Sequence, residues 1–152
     1  MSQVKAIPEG LHTITPQFSV DGCAKAMEWY KKALGAEEVS RAPDPSGQKI
    51  WHASMRIGDS TFFLNDTFPE MGATPQTASL WVYTDNVDQL FKRATDAGAK
   101  TVMPMMDQFW GDRTGTLLDP FGNRWTLGQH MKNLTDAEIK SAADAFIASM
   151  KK

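Results

Sequence analysis

Three polar side chains that could do chemistry alternate along a strand-like segment, residues 50–57. His52, Ser54 and Arg56 occupy every second position, so they share one face if the segment is extended. An imidazole on such a face could bind an anionic or hydrogen-bonding ligand, or accept a proton near neutral pH. A histidine satisfied by a neighbouring carbonyl, or exposed at a sheet edge, fits the same pattern. The apolar residues of the segment share the opposite face and suit packing under a helix: Trp51, Ala53, Met55 and Ile57.

A second candidate set combines aromatic rings with a carboxylate. Trp110 and Asp112 share one face of another strand-like segment, and Trp81 and Tyr83 share one face of a third. Together with Phe62, these rings would give a ligand cavity aromatic walls. Ordinary packing in the core explains the same aromatic residues equally well.

Two glycines, Gly111 and Gly115, interrupt the segment that carries Asp112. A glycine inside a strand leaves space beside bulky neighbours. That space could shape a slot for a planar ligand, or it could simply let the strand bend.

The elements that would position these residues repeat along the chain. Each half is predicted to run strand, helix, strand and hairpin, with a shift of about 64 residues between the copies. Both helices close on a Gly-Ala pair, where Gly35 or Gly98 supplies a left-handed C-cap. The hairpins turn at Gly58 and Gly122. The predicted elements are strands at about 12–20 and 78–84, and helices at about 22–34 and 86–97.

The repeat predicts an α+β fold of tandem βαβββ modules plus a C-terminal helix, in one domain. The predicted parts are module 1 at about 8–67, a linker at about 66–77, module 2 at about 78–130 and a helix at about 134–150. The linker could also act as a lid over a cavity. Thr135 followed three residues later by Glu138 is typical of a helix N-terminus. The apolar stripe of this last helix could pack on its own subunit or on a partner.

Composition narrows the classes of function. The net charge of −2 and pI near 5.9 argue against a nucleic-acid-binding protein. No apolar run approaches the roughly 20 residues of a membrane span, and the first residues do not resemble a signal peptide. We therefore expect a cytoplasmic protein that contacts neither membrane nor nucleic acid. The single cysteine, Cys23, excludes an internal disulfide and a multi-cysteine zinc site.

Two further stretches carry a family resemblance. The helix sequence at 26–36 and the hairpin at 109–125, within the duplicated modules, resemble the vicinal oxygen chelate superfamily. This is the glyoxalase, bleomycin-resistance and extradiol dioxygenase group, and its PhnB-like branch is the most similar. The resemblance spans about residues 8–130. It implies that each module curls into a half-barrel, that a ligand cavity forms between the paired half-barrels, and that the protein is a homodimer.

Catalytic members of this superfamily hold a divalent ion with His, Gln or Glu side chains on the first and last strand of each module. The matching positions here are residues 15–17 and Phe62 in the first module, and Ser79 and Thr126 in the second. Of these, Gln17 alone could coordinate, and weakly. We therefore expect no metal cofactor. The alternative is a displaced site that includes His52 and holds Zn, Ni, Mn or Fe.

The resemblance and the lack of strong metal-coordinating side chains at the family positions together favour a small-molecule-binding protein. It would enclose a partly aromatic ligand in a half-barrel cavity. The alternatives are a glyoxalase- or dioxygenase-type enzyme with displaced metal ligands or metal-free acid-base chemistry, and a dimeric scaffold that has lost its ligand. The predicted ligand-binding residues are His52, Ser54, Arg56, Phe62, Trp81, Tyr83, Trp110, Asp112 and Thr126.

Overall fold

The computed structural model describes residues 3–151, and it divides the chain into two compact units with a boundary between Ala78 and Ser79. Each unit contains one four-stranded mixed sheet covered on one face by a helix. The second unit also carries the C-terminal helix. The predicted α+β fold with tandem βαβββ modules is confirmed. That the two modules form a single domain stays a prediction.

The first unit orders its strands β1-β4-β3-β2, with β1 parallel to β4 and the other neighbours antiparallel. A short 3₁₀ helix, Pro69–Met71, follows the last strand. The elements are β1 Gln17–Val20, α1 Cys23–Leu34, β2 Glu37–Pro43, β3 Ile50–Ile57 and β4 Ser60–Asp66.

The second unit repeats this arrangement as β5-β8-β7-β6, again with a parallel first pair. Its elements are β5 Ser79–Tyr83, α2 Val87–Asp96, β6 Lys100–Asp107, β7 Asp112–Leu118, β8 Arg124–His130 and α3 Asp136–Met150. Because the order of elements and the pairing of strands are both repeated, equivalent positions in the two units can be compared directly.

The hairpin between β7 and β8 turns at Gly122, as predicted, with a positive φ of 90°. Asp119 stabilises the turn because its Oδ1 atom accepts hydrogen bonds from the backbone N–H groups of Phe121 and Asn123. Its Oδ2 atom accepts one from the Trp125 indole at 2.9 Å. The turn is therefore anchored to a ring that is buried in the core of the second unit.

The core of the first unit lies between its sheet and α1. The Phe62 ring stacks on Phe18 at 6.0 Å and meets Tyr30 edge-on at the same distance, and all three side chains are buried. Phe62 therefore faces α1, which corrects the expectation that it lines a ligand cavity. Trp51 was expected under the helix, but it is 46% exposed and contacts Phe68 instead. Ala53 and Met55 are buried, as the alternation predicts.

The helix α3 begins as predicted, since the Thr135 side chain accepts a hydrogen bond from the N–H of Glu138. Its Phe146 ring contacts Phe109 of the same unit at 5.5 Å. Ile147 and Met150 remain exposed. Part of the apolar stripe thus packs within the unit, and the homodimer stays a prediction.

None of the helices formed by the described residues has the length and apolar character needed to span a bilayer.

Candidate functional site

The sheet of each unit has a face that its own helix, α1 or α2, does not cover, and we call it the open face. His52, Ser54 and Arg56 lie on the open face of the first sheet, but the structure does not unite them into one site. The His52 ring contacts Phe63 edge-on at 4.7 Å, and its ring nitrogens have no hydrogen-bond partner among the described residues. Arg56 makes an exposed ion pair with Glu37 at 2.6 Å. Ser54 is buried, opposite Phe63 in the strand register.

The predicted residues of the second unit are brought together on its open face. The Tyr83 hydroxyl donates a hydrogen bond to Oδ2 of Asp112 at 2.8 Å. The Trp81 ring lies beside the Tyr83 ring, with centroids 6.0 Å apart. Both rings are large and exposed, 49% for Trp81 and 61% for Tyr83, whereas Asp112 is only 3% exposed.

The contact between Tyr83 and Asp112 passes over Gly128, which sequence reasoning missed. Tyr83 is on β5 and Asp112 is on β7, so the hydrogen bond spans the intervening strand β8. Gly128 lies opposite Tyr83, and a Cβ atom there would lie 3.4 Å from the Tyr83 ring and 3.0 Å from Nε1 of Trp81. The available signal was a glycine in the middle of a strand, which often marks a close approach.

His130 is a second residue that sequence reasoning missed. Its Nδ1 lies 2.8 Å from Oδ1 of Asp112, and its Nε2 lies 2.8 Å from Oδ1 of Asn133. Both partners are oxygen acceptors, so the arrangement fits an imidazolium that donates from both nitrogens. Because His130 pairs with Asp112 across β7 and β8, a correct register would have revealed the contact.

The contacts among Asp112, His130 and Tyr83 shift the pKa values of all three side chains. Burial opposes ionisation of Asp112, but hydrogen bonds from His130, Tyr83 and Trp110 outweigh it and lower the pKa of the carboxyl. The hydrogen bond to Asp112, reinforced by Asn133, raises the pKa of His130. The same carboxylate raises the pKa of Tyr83. These contacts thus favour the charged forms of Asp112 and His130 and the protonated form of Tyr83.

Thr126 lies on the same open face, opposite Trp81 in the register. Its hydroxyl oxygen is 3.0 Å from that of Thr116, and both residues are buried. The two hydroxyls thus satisfy each other across β7 and β8.

Neither Gly111 nor Gly115 leaves a slot for a ligand. A Cβ atom at Gly115 would lie 2.6 Å from the Phe91 ring and 2.6 Å from the Met105 sulfur, so helix and strand side chains fill the space. A Cβ atom at Gly111 would lie 2.6 Å from the carbonyl oxygen of Lys132. Both glycines permit close packing within the unit, which corrects the planar-slot expectation.

The positions that would hold the ion of catalytic relatives carry unsuitable donors. Gln17 lies opposite Phe63 on the open face of the first sheet. The second unit offers Ser79 and Thr126, and Thr126 is already bonded to a neighbouring threonine. Within residues 3–151, no three His, Cys, Asp or Glu side chains gather in a way that could hold a metal ion. One neutral amide and two hydroxyls do not fit a divalent ion. That the protein has no metal cofactor stays a prediction.

The first unit contains a pocket of about 340 Å³ that involves none of the predicted site residues. Three polar side chains of β1 and β4 line it, namely Gln17, Ser19 and Asn65, and residues 71–73 and Gln76 of the linker complete the wall. Gln17 Nε2 donates to Oδ1 of Asn65 at 3.1 Å, and Asn65 Nδ2 donates to Oγ of Ser19 at 2.7 Å. The sequence signal was the alternation of Gln17 and Ser19 along β1.

Comparisons with known proteins find relatives of this chain. A model of the Glyoxalase/Bleomycin resistance protein/Dioxygenase superfamily matches residues 10–127. The uncharacterized protein Mb0911c of Mycobacterium bovis is 43% identical over 140 residues, which cover 85% of this chain and 90% of that protein. Protein YjdN of Escherichia coli is 28% identical over 137 residues, which cover 75% of this chain and 92% of YjdN.

Solved structures resemble the fold over most of the chain. TioX from Micromonospora sp. ML1 matches with a TM-score of 0.68 and 25% identity, covering 80% of this chain and 100% of TioX. The PhnB protein from Bacillus cereus matches with a TM-score of 0.61 and 22% identity, covering 78% and 99%. The second likeness supports the fold alone.

Proposed function

The chain belongs to the glyoxalase, bleomycin-resistance protein and dioxygenase superfamily, and from this premise we propose that it is a small-molecule-binding protein. It holds a partly aromatic ligand against the open face of the second half-barrel and does so without the divalent ion of catalytic relatives. The observation that carries this proposal is the exposed ring pair of Trp81 and Tyr83, which lies over Gly128.

The ring pair suits a planar ligand because its orientation is set before the ligand arrives. The buried Asp112 holds the Tyr83 hydroxyl, and Trp81 packs beside Tyr83. Rings that are already ordered lose little conformational entropy on binding, so more of the stacking energy appears as affinity. Exposed large aromatic side chains that adjoin one another often mark a binding surface.

The hydrogen bonds of Asp112 fix the orientation of the Tyr83 ring. The two oxygens of Asp112 already accept hydrogen bonds from His130 and Tyr83, so this carboxylate is a paired group and not a free anion. The Tyr83 oxygen, which donates to Asp112, also accepts a hydrogen bond from the Trp81 indole. The favoured ligand is therefore a planar ring system that stacks on this fixed pair.

The test compares two exposed tryptophans in different units. Trp81 and Trp51 are exposed to a similar degree, 49% and 46%. We expect umbelliferone, a planar phenol, to shift the indole N–H resonance of Trp81 in NMR titrations. Umbelliferone fluorescence measures binding to Trp81→Ala, which lacks the indole resonance, and the variant should bind at least about tenfold more weakly, as expected for a lost stacking contact. The matched control Trp51→Ala should leave binding unchanged. Equal losses in both variants, or no shift at Trp81 with any planar probe, would contradict the proposal.

The metal part of the proposal has its own measurement. Protein purified without a metal-affinity tag should contain no stoichiometric Zn, Ni, Mn or Fe and should not bind these ions tightly on titration. Tight binding that His52→Ala abolishes would support the metal-dependent enzyme instead.

A metal-free enzyme is the second candidate, because the half-exposed His130 is held by a buried carboxylate. A histidine oriented in this way can act as a general acid or base. In that case the protein should isomerise a hemithioacetal faster than buffer does, and His130→Gln should remove the excess rate. A rate equal to that of buffer would rule this candidate out for glyoxalase-type substrates.

A further inference from the structure

The pocket of the first unit points to a binding site of a different chemical kind. We propose that it binds the amide group of a small neutral molecule, such as a lactam. The proposal does not depend on the function proposed for the second unit, because every lining residue belongs to the first unit.

The hydrogen bonds inside the pocket leave one defined set of groups for a ligand. Both amide hydrogens of Asn65 are committed, one to Ser19 and one to the carbonyl oxygen of Asp66 at 2.8 Å. Its carbonyl oxygen accepts from Gln17. Asn65 is buried, so its role is to orient Gln17 and Ser19 rather than to meet the ligand.

Gln17 and Ser19 then present complementary groups. In the described part of the chain, the Ser19 hydroxyl accepts a hydrogen bond and donates none, so its proton is available as a donor. Gln17 uses one amide hydrogen for Asn65, and its carbonyl oxygen is available as an acceptor. Ser19 is 6% exposed, so an unused donor there is enclosed and not simply solvated. With the second amide hydrogen of Gln17, these two side chains offer two donors and one acceptor, which can bind the carbonyl and N–H of an amide.

The pocket wall selects against charge. Its lining residues carry no ionisable side chain, so an ion there would gain no counter-charge. The linker wall is held in place by two backbone hydrogen bonds between Phe68 and Ala73, and by one from the Gln76 N–H to the Ser19 carbonyl. The small residues Gly72 and Ala73 leave room, and Met71 adds an apolar surface.

The site also explains the mismatch with a divalent ion. Gln17 holds a position that the family resemblance assigns to a metal ligand, yet the groups that line the pocket with it are neutral amides and a hydroxyl. Such groups bind cations weakly but bind other amides well, since each can donate and accept. The polar character of the pocket thus fits an organic amide better than an ion.

The experiment uses γ-butyrolactam, which is neutral and has no aromatic ring, with the intact isotopically labelled chain. We expect it to shift the side-chain amide resonances of Gln17 and Asn65 in NMR spectra. N-methyl-γ-butyrolactam, which lacks the N–H donor, should bind about three- to tenfold more weakly, the factor for one neutral hydrogen bond. Propionate should bind more weakly than the lactam.

Variants locate the effect. Gln17→Leu should weaken lactam binding about three- to tenfold, and Ser19→Ala should do the same. Gln48→Leu is the matched control, because Gln48 is an exposed glutamine of the same unit outside the pocket.

Three results would overturn this site: no shift at Gln17 or Asn65, equal binding of both lactams, or shifts confined to Trp81 and Tyr83. The last result would still leave the aromatic site of the second unit intact. Conversely, a loss of umbelliferone binding would not affect the lactam result, so the two proposals fail separately.

Discussion

The two units share one backbone arrangement, but their open faces differ in chemical character: one carries a polar pocket and the other carries exposed aromatic rings. Ser19 lies four residues before the start of α1, and Tyr83 lies four residues before the start of α2. Their partners in the parallel strand pairs are Asn65 and Gly128. In the first unit an amide fills this position and organises a polar pocket. In the second unit Gly128 has no side chain at this position, and the rings of Tyr83 and Trp81 lie across the strand there. The position opposite Ser19 or Tyr83 thus carries Asn65 in the pocket of the first unit and Gly128 at the exposed ring pair of the second.

The same comparison extends to the helices. Asp66 follows Asn65 and accepts hydrogen bonds from the N–H groups at the start of α1, whereas Gln129 follows Gly128 and accepts one from Val87 at the start of α2. Under the helices, the first unit has Ala53 where the second has Gly115. Duplication has therefore kept each structural role while changing the residue that performs it.

The largest expected effect comes from removing the first helix anchor. Asp66→Ala leaves three N–H groups without their acceptor, those of Gly22, Cys23 and Ile50. Because an unsatisfied buried group costs about 1–3 kcal/mol, we expect the free energy of unfolding to fall by about 3 kcal/mol or more. Gln129→Ala removes one hydrogen bond and should cost about 1 kcal/mol. Urea denaturation followed by circular dichroism measures both, and equal losses would break the comparison.

The second effect tests the close approach of helix and sheet in the second unit. Gly115→Ala introduces a methyl group 2.6 Å from both Phe91 and Met105, so we expect a loss of about 2 kcal/mol from overpacking. Met27 occupies the first-unit position equivalent to Phe91, because each lies four residues after the start of its helix. The double change Phe91→Met with Gly115→Ala should therefore recover part of the loss. A Gly115→Ala protein as stable as the parent would show that the space is not filled.

The third prediction concerns pH. Asp112→Asn removes the carboxylate that accepts hydrogen bonds from His130 and Tyr83 and should therefore lower stability near neutral pH. The pKa of Asp112 is lowered in the folded protein, so its contribution is present above its unfolded pKa near 3.8 and is lost as pH falls through the folded value. The pKa of His130 is raised, so its contribution is present below its unfolded pKa near 6.5 and is lost as pH rises through the folded value.

The measurement is urea denaturation between pH 3 and 9, together with an NMR titration of the His130 ring. In Asp112→Asn, stability should depend less on pH in both windows, and the pKa of His130 should return toward its ordinary value. His130→Gln is the control that removes the window above pH 6.5 and narrows the acid window, because Tyr83 and Trp110 still form hydrogen bonds with Asp112. Parallel curves for parent and Asp112→Asn would contradict the coupling.

The smallest expected effect on stability comes from the position that separates the two open faces. Gly128→Ala forces Trp81 and Tyr83 to shift by a few tenths of an ångström, which should cost about 1 kcal/mol or less. The same change should move the Trp81 indole resonance and weaken umbelliferone binding. The change Asn65→Gly in the first unit should weaken lactam binding without affecting the aromatic face. Undisturbed Trp81 and Tyr83 resonances in Gly128→Ala would show that the ring pair does not need a glycine at position 128.

Much of the fold could be predicted from local patterns. Gly122 after Asp119-Pro-Phe predicts a turn because positive φ is easy for glycine, and Thr135 with Glu138 predicts a helix start because a hydroxyl can cap it. Strand alternation also placed His52 and Ser54 on the open face. It failed for Phe62, because alternation tells which residues share a face but not which face is covered by the helix.

The sequence by itself determined the duplicated modules, their hairpin turns and the start of the last helix, since these depend on residues a few positions apart whose backbone preferences are local. Gly98 was expected to cap α2, but the C-cap is Ala97 in a right-handed conformation. Tertiary structure decided which side chains meet. Tyr83, Asp112 and His130 come from three strands, and they join only because β8 lies between β5 and β7 with a glycine at the crossing. Contacts of this kind depend on strand order and register, which a hydrophobic pattern does not specify.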